Sequence, residues 1–491
     1  MVKFAGGFRR YGKNRPCRRP APEEDALPTP APHVAHLLRR AGFGGTRAQV
    51  LELAALERAE IVDRLLDFSL NPPDTPPASL NEPSKGDWER IVHLQQWWLD
   101  RMATVPSPLQ EKLTLFWHGH FATEASKVGS ALDMYEQNHL FRTEGAGGFE
   151  NLVQKMSVQV AMLIYLDNEP NAKGSPNENF ARELLELFTL GVNQYTQDDV
   201  VSAARAWTGH NVDYGVNPRA YRFYPHRHDT ENKKFMGVTR NWDGPEIITR
   251  VLTEEPQRTI AARFIARKLW TFFAYPNPSD ALVDALAAEF VASNLDVRTL
   301  LRAIFLRDEM YSATARQGLV RSPVEWVVAC LRATQLTAAQ TNPQWWMEQM
   351  GQQLFYPPNV AGWKNNAYWL NSTALWARAD FARNLSWKAR EAHGDFPIGF
   401  LREITVTHQE VIDGRTRNVY DVPSADAVDQ AFALFGKDED IDPPGAHVRN
   451  VLVNWLDAQR TAEQESPWSW REYSPLNLGT MVMLSPDVQL A

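Results

Sequence analysis

Three tetrapeptides of one design constrain this chain more than any other feature: Ser107-Pro108-Leu109-Gln110, Ser175-Pro176-Asn177-Glu178 and Ser322-Pro323-Val324-Glu325. Each places Ser at an N-cap position, Pro at the first helical position, and Gln or Glu three residues after the cap. The Ser oxygen and the Gln/Glu side chain then satisfy N–H groups that a helix start leaves open, and Pro loses nothing by lacking one. Helices are predicted over 108–118, 176–190 and 323–334. Thr196-Gln197-Asp198-Asp199 is a weaker version before 200–207. Apolar spacing predicts further helices over 260–273, 281–292 and 297–306, and the pattern is already helical from His33. Strand signals are few. Tyr221–Tyr224 is a short aromatic candidate, and Glu403–Tyr420 reads as a hairpin turning at Asp413-Gly414, flanked by Ile404, Val406, Val411 and Val419. The expected fold class is mainly α: a large multi-helix globular domain with a few short strands and one hairpin near 403–420. No repeat of solenoid period is present.

Length alone, 491 residues, gives a soft prior of about three domains. Composition divides the chain into a basic arm and Pro-rich linker over 1–32, a helical domain over 33–385, and an extension over 386–491 carrying the hairpin and a helix and packed on the main domain. The arm holds Lys3, Arg9, Arg10, Lys13, Arg15, Arg18 and Arg19 without an acid, so it reads as a disordered tail able to contact an anionic partner. A second break, 71–87, contains five prolines and reads as a surface connection. Elsewhere a net charge of −8 argues against a nucleic-acid footprint, which needs a basic stripe. Seventeen Trp and 23 Phe read as large core residues before stacking platforms. Cys17 and Cys330 make neither a disulfide framework nor a cysteine metal site. No apolar run has the length of a signal peptide or approaches the roughly 18 residues of a membrane span. The expectation is a soluble chain with no transmembrane segment, cytoplasmic unless exported by another route.

Chemistry concentrates between 118 and 228, where six of the twelve histidines fall. Four form two H-x-H pairs, His118-Gly119-His120 and His226-Arg227-His228, the second followed by Asp229. Imidazole titrates near neutral pH and is the commonest transition-metal ligand. Two residues apart can reach one ion from a loop or strand, whereas on a helix they point about 200° apart. If the helix begun at Pro108 continues through Gly119, His120 shares a face with Leu113, Phe116 and Trp117, and His118 points elsewhere. One reading is metal ligation; the other is one packed and one capping histidine. The second pair follows Pro225 in a predicted loop, where both rings could meet Asp229 or could clamp the loop. Neither pair has the H-E-x-x-H spacing of a zinc helix. The stretch 177–188 places Asn179, Arg182, Glu183 and Glu186 on one polar stripe. It reads either as a solvated face with an Arg182–Glu186 pair or as a cleft with a carboxylate base and an anion clamp. No nucleophile elbow, phosphate-binding loop or dinucleotide fingerprint is present, so no nucleotide cofactor is expected.

Several ordered motifs resemble the domain of unknown function 1800 family. They include Phe116-Trp117-His118-Gly119-His120-Phe121, Gln137-Asn138-His139-Leu140-Phe141-Arg142, and Pro176 to Leu184 with Leu187 to Gly191. Thr208-Gly209, Arg227-His228-Asp229, Phe264 to Trp270, Ser322 to Glu325, Pro357 to Trp363 and Leu484 to Leu490 continue it. The resemblance spans about 33–385 plus the extreme C-terminus. It implies a bacterial, largely helical protein without an established activity. It also implies an association with proteins of the domain of unknown function 1501 family, which look sulfatase-like. His210 stands where this family's pattern has Trp, and His226 also departs from it, which sets both aside as shared site residues. His118, His120, Arg182, Glu183, His228 and Asp229 lie on matching motif positions.

The functional expectation is therefore a metal-assisted hydrolase or other acid–base enzyme acting on an anionic or polymeric substrate. His118, His120 and His228, with Asp229 or Glu183, would hold a divalent metal, the remaining carboxylate would act as base, and Arg182 would orient the substrate. The rival is a non-catalytic scaffold or binding protein whose polar motifs are buried structural networks, since unpaired buried groups cost about 1–3 kcal/mol.

Overall fold

The computed structural model describes residues 29–393, 408–412, 414–419, 422–465 and 474–491. It is mainly α, with three two-stranded antiparallel sheets among the described residues. The predicted helices appear as Gln257–Phe273, Asp280–Ala292, Val297–Leu306 and Pro323–Thr334. The aromatic strand is Ala220–Phe223, paired with His210–Asp213. The predicted hairpin is His408–Ile412 paired with Arg415–Val419; Ile404 and Val406 lie outside the described residues, as does the basic arm through residue 28. Thr29, in the segment read as linker, is buried, and its N–H and hydroxyl both donate to the Leu56 carbonyl at 3.1 and 2.9 Å. No helix among the described residues is long and apolar enough to cross a membrane.

The three Ser-Pro helix starts diverge in the fold. Ser322 forms the full reciprocal cap: its hydroxyl accepts the Glu325 N–H at 3.3 Å, and the Glu325 carboxylate accepts the Ser322 N–H at 2.8 Å. Thr196 does the same with Asp199. Ser107 does not cap; its hydroxyl donates to the Asp67 carbonyl at 2.8 Å, and Gln110 turns to Asn71 and Arg142. At the second start the helix begins later, at Asn179. Two asparagines take over the role assigned to Ser175: Asn177 N–H donates to Asn171 at 2.9 Å, and the Asn177 side chain accepts the Asn179 N–H at 2.9 Å. Local Asn–backbone bonds compete with helix in this way. Glu178 is left to pair with Arg182 at 2.9 Å. Over Leu184–Leu190 the helix widens to a π-helix, where the Thr189 hydroxyl donates to the Leu184 carbonyl at 2.6 Å.

The apolar residues form two large cores, with the helix Leu109–His120 between them. Leu109, Leu113, Phe116 and Trp117 belong to the first, with Phe149, Phe188, Trp207 and Trp270. Leu115 belongs to the second, with Trp98, Trp326, Phe355 and Phe381. The C-terminal segment closes the second core: Trp326 Nε1 donates to the Met483 carbonyl at 3.1 Å, and Arg321 N–H to that of Gln489 at 2.9 Å.

A helix buried on all sides must neutralise any charge it carries. Glu111, fully buried, accepts four bonds: Arg101 Nε at 2.6 Å, Trp98 Nε1 at 2.9 Å, and Arg142 Nε and Nη2 at 2.8 and 2.9 Å. Lys112, also buried, pairs with Glu325 at 2.8 Å and donates to the carbonyls of Arg39 and Gly42. Removing one partner of such a pair strands a buried charge. Arg142→Met is expected to destabilise the fold by about 3–5 kcal/mol in denaturant unfolding. Exposed Arg302→Met, which loses only a surface pair with Asp63, should cost under about 1 kcal/mol.

Candidate functional site

The central helix runs unbroken through Gly119 to His120, so its two histidines face opposite cores. His118 packs against Trp98 and Phe355, with ring centroids 5.2 and 5.0 Å away, and its Nε2 accepts the Phe355 N–H at 3.0 Å. His120 packs among Phe116, Phe121 and Phe188, and its Nε2 meets the Phe188 carbonyl at 3.1 Å. Burial pushes His118 down to about 3; for His120, burial together with the Lys268 charge lowers the pKa well below the ordinary imidazole value. Both are neutral rings at physiological pH.

The expected joint metal centre of His118, His120 and His228 is not formed. Among the described residues, one group of three His, Asp, Glu or Cys side chains has ligand atoms within 4.8 Å of one another, and its members are His210, His228 and Asp243. Asp229 is instead clamped by Arg205 at 2.7 Å and by the Glu231 N–H at 2.9 Å. Burial works to raise its pKa, but these donors hold it below the usual carboxylate range. Arg182 bonds Glu178 and Gln197, each at 2.9 Å. Glu183 is half-buried, and burial with the neighbouring Glu186 charge raises its pKa. Neither Arg182 nor Glu183 lines the cavity described next.

That cavity, of about 290 Å³, opens where the central helix ends, between the two cores. Phe116, Gly119 and His120 supply one wall; Arg267, Lys268, Thr271 and Phe272 another; Ser322, Glu325, Trp363 and Asn366 complete it. Four motif segments far apart in the chain thus converge on one space. The approach is close: Gly362 adopts φ +74°, and a Cβ there would overlap the Gly119 carbonyl oxygen. Only glycine permits both the conformation and the contact.

Most charges around the cavity are neutralised by the protein itself. Glu325 is held by Lys112 and its own helix cap, and Arg267 by Asp280 at 2.6 Å. Lys268 has no hydrogen-bond or ion-pair partner among the described residues; its Nζ lies 5.0 Å from the centre of the Phe264 ring. Desolvation pushes its ammonium down to about 8. His120 Nδ1 is buried without a partner, whereas Lys268 is partly exposed. Helical spacing predicted the segment that carries Lys268 but gave no sign that its charge would be unpaired. His210 was set aside for its departure from the family pattern, and no sequence spacing links it to His228 on a separate loop or to Asp243 at a helix cap.

The family model described as "Protein of unknown function (DUF1800)" matches residues 36–490. The chain belongs to this family. The match runs through 386–483, beyond the span of the motif resemblance, and includes every segment that lines the cavity. No curated protein and no solved structure matches the chain.

An unpaired, desolvated lysine should weaken the fold. The unfolded ammonium holds its proton to about 10.5, whereas the folded one loses it near 8, so the penalty is complete below pH 8 and disappears as pH rises toward 10.5. Partial exposure of the Lys268 side chain moderates its size. Lys268→Met is therefore expected to stabilise the protein by about 1–3 kcal/mol at pH 7. The gain should shrink steadily between pH 8 and 10.5 in urea unfolding curves.

Proposed function

We propose that this chain is an acid–base enzyme whose cavity between the two cores takes a small anionic substrate, with Lys268 supplying both charge and proton. The observation that carries this reading is the unpaired ammonium at a cavity whose other charges are internally neutralised. A charge left desolvated in the folded chain is offset by a ligand of opposite sign, and perturbed groups of this kind concentrate at functional sites. With a pKa of about 8, Lys268 is mainly an ammonium at neutral pH and holds a minor fraction of free amine. It can therefore bind an anion, donate a proton, or accept one near working pH.

The neighbouring residues supply the rest of the environment. Phe116, Phe272 and Trp363 give the cavity apolar walls, which lower the local dielectric and strengthen the interaction of Lys268 with an anion. Thr271, Asn365 and Gln352 offer polar edges for orientation. A binding role without catalysis is a second reading. It is favoured by the internal engagement of His118, Arg182 and Asp229, which leaves those three in structural networks.

The test is thermal unfolding in a panel of small anions (phosphate, sulfate, malonate and benzoate) for the wild type, Lys268→Met and Lys268→Arg. At least one anion is expected to raise Tm in the wild type and in Lys268→Arg, and to lose at least tenfold in affinity in Lys268→Met. In the wild type, affinity should fall about tenfold per pH unit above pH 8, as the ammonium deprotonates, while Lys268→Arg stays flat. Equal stabilisation of wild type and Lys268→Met by every anion, or of neither, would contradict the assignment.

A further inference from the structure

The residues around His210 form a second constellation, separate from the cavity. His210 begins the strand His210–Asp213, His228 follows the 3-10 turn Pro225–Arg227, and Asp243 caps the helix Gly244–Thr253. One ligand-type atom of each lies within 4.8 Å of the other two. His210 Nε2 is already 3.1 Å from Asp243 Oδ1. Three donors bound to one tetrahedral ion at about 2.0–2.2 Å stand about 3.3–3.6 Å apart, so His210 and Asp243 are already near ligand spacing and His228 lies within the same 4.8 Å bound.

The outer contacts favour ligation. His228 Nδ1 lies 2.8 Å from the Thr208 carbonyl, which fixes the proton on Nδ1 and leaves the Nε2 lone pair free. His228 Nε2 makes no hydrogen bond among the described residues. His210 Nδ1 meets the Tyr221 hydroxyl at 3.0 Å, leaving its Nε2 on the side of Asp243. Imidazoles whose far nitrogen is held by a carbonyl or hydroxyl are oriented as metal ligands usually are. Thr208 is itself fixed: its hydroxyl donates to the Arg205 carbonyl at 2.6 Å and accepts the Asp229 N–H at 2.8 Å. Gly209, at φ +82°, lets the two segments touch, since a Cβ there would press on the Tyr224 carbonyl and the His228 backbone. Trp207 and Phe223 wall His210, with centroids 4.6 and 5.0 Å away, and lower the local dielectric. Asp243 is about half exposed, leaving a side open to water.

We infer that His210, His228 and Asp243 form a binding site for a divalent transition-metal ion of the zinc class, with an open coordination position. Two imidazoles and one carboxylate suit a borderline ion, and three protein ligands leave a fourth place for water or a substrate oxygen. The inference does not depend on Lys268.

The test uses the full chain, freed of any affinity tag and stripped with chelator, titrated with Co²⁺ and then Zn²⁺. One Co²⁺ per chain is expected, with the intense visible ligand-field bands of a four- or five-coordinate site, displaced by an equivalent of Zn²⁺. His228→Ala and Asp243→Asn should each weaken Zn²⁺ binding at least 100-fold, with unchanged circular dichroism. His226→Ala, next to the site but outside it, and Lys268→Met should bind as the wild type does. Should His228→Ala fail to fold, the wild-type spectrum still decides. No stoichiometric Co²⁺, bands as weak as those of the hexaaquo ion, or equal affinity in the folded variants would overturn the site.

Discussion

The fold depends on how the helix Leu109–His120 carries charge through the buried interior, where Glu111 and Lys112 are almost fully enclosed. Glu111 sits between two apolar cores and is tolerated because Arg101, Arg142 and Trp98 direct four N–H groups at its two oxygens. One residue along, Lys112 is neutralised by Glu325, which belongs to the second core's helix Pro323–Thr334. These adjacent residues tie the central helix to elements on either side. Apolar burial could join the same segments in several registers; buried ion pairs with saturated hydrogen bonds admit far fewer. The register they set fixes where His118, Gly119 and His120 emerge at the helix end.

The cavity follows from that placement. The close approach of Gly362 to Gly119 brings the Trp363 loop over the helix end, and the helix Gln257–Phe273 supplies Lys268 from the other side. Of the charged side chains that line the cavity, Glu325 is answered by Lys112 and Arg267 by Asp280. Lys268 has only the face of Phe264, and the cost of that exception marks the cavity as built for something other than stability.

Much of the fold was legible in the sequence, and its failures have physical causes. Apolar period and capping residues placed helices such as Gln257–Phe273, Asp280–Ala292, Val297–Leu306 and Pro323–Thr334, because both are local. The long helices Asp87–Thr104 and Ser372–His393 carried no start signal of this kind and were not assigned. Yet Ser107, Ser175 and Ser322 stand in nearly identical tetrapeptides and only Ser322 caps. Asn71 beside the first and Asn171 beside the second redirect the polar groups, and the first of these lies 36 residues from the Ser107 it engages. The opposed directions of His118 and His120 followed from helical geometry alone. Their role did not: whether a histidine on a helix binds a ligand or fills a core depends on what faces it. Aromatic rings and backbone groups face both, so the motif that looked most chemical is largely structural at His118. His228 was singled out on its loop, but its neighbours proved to be His210 and Asp243, brought together by a strand start and a helix cap that no spacing rule connects. Lys268 lay inside a segment read correctly as helix, and only the tertiary structure shows that its charge goes unanswered.

The central claim is that the folded chain maintains a desolvated, unpaired ammonium at this cavity. Lysine-selective isotope labelling followed by an NMR pH titration measures it directly, with the Lys268 signal assigned by its loss in Lys268→Met. The account predicts a midpoint near 8 that moves upward when a bound anion fills the cavity. A midpoint near 10.5 in the free protein, the value of an ordinary exposed lysine, would contradict it.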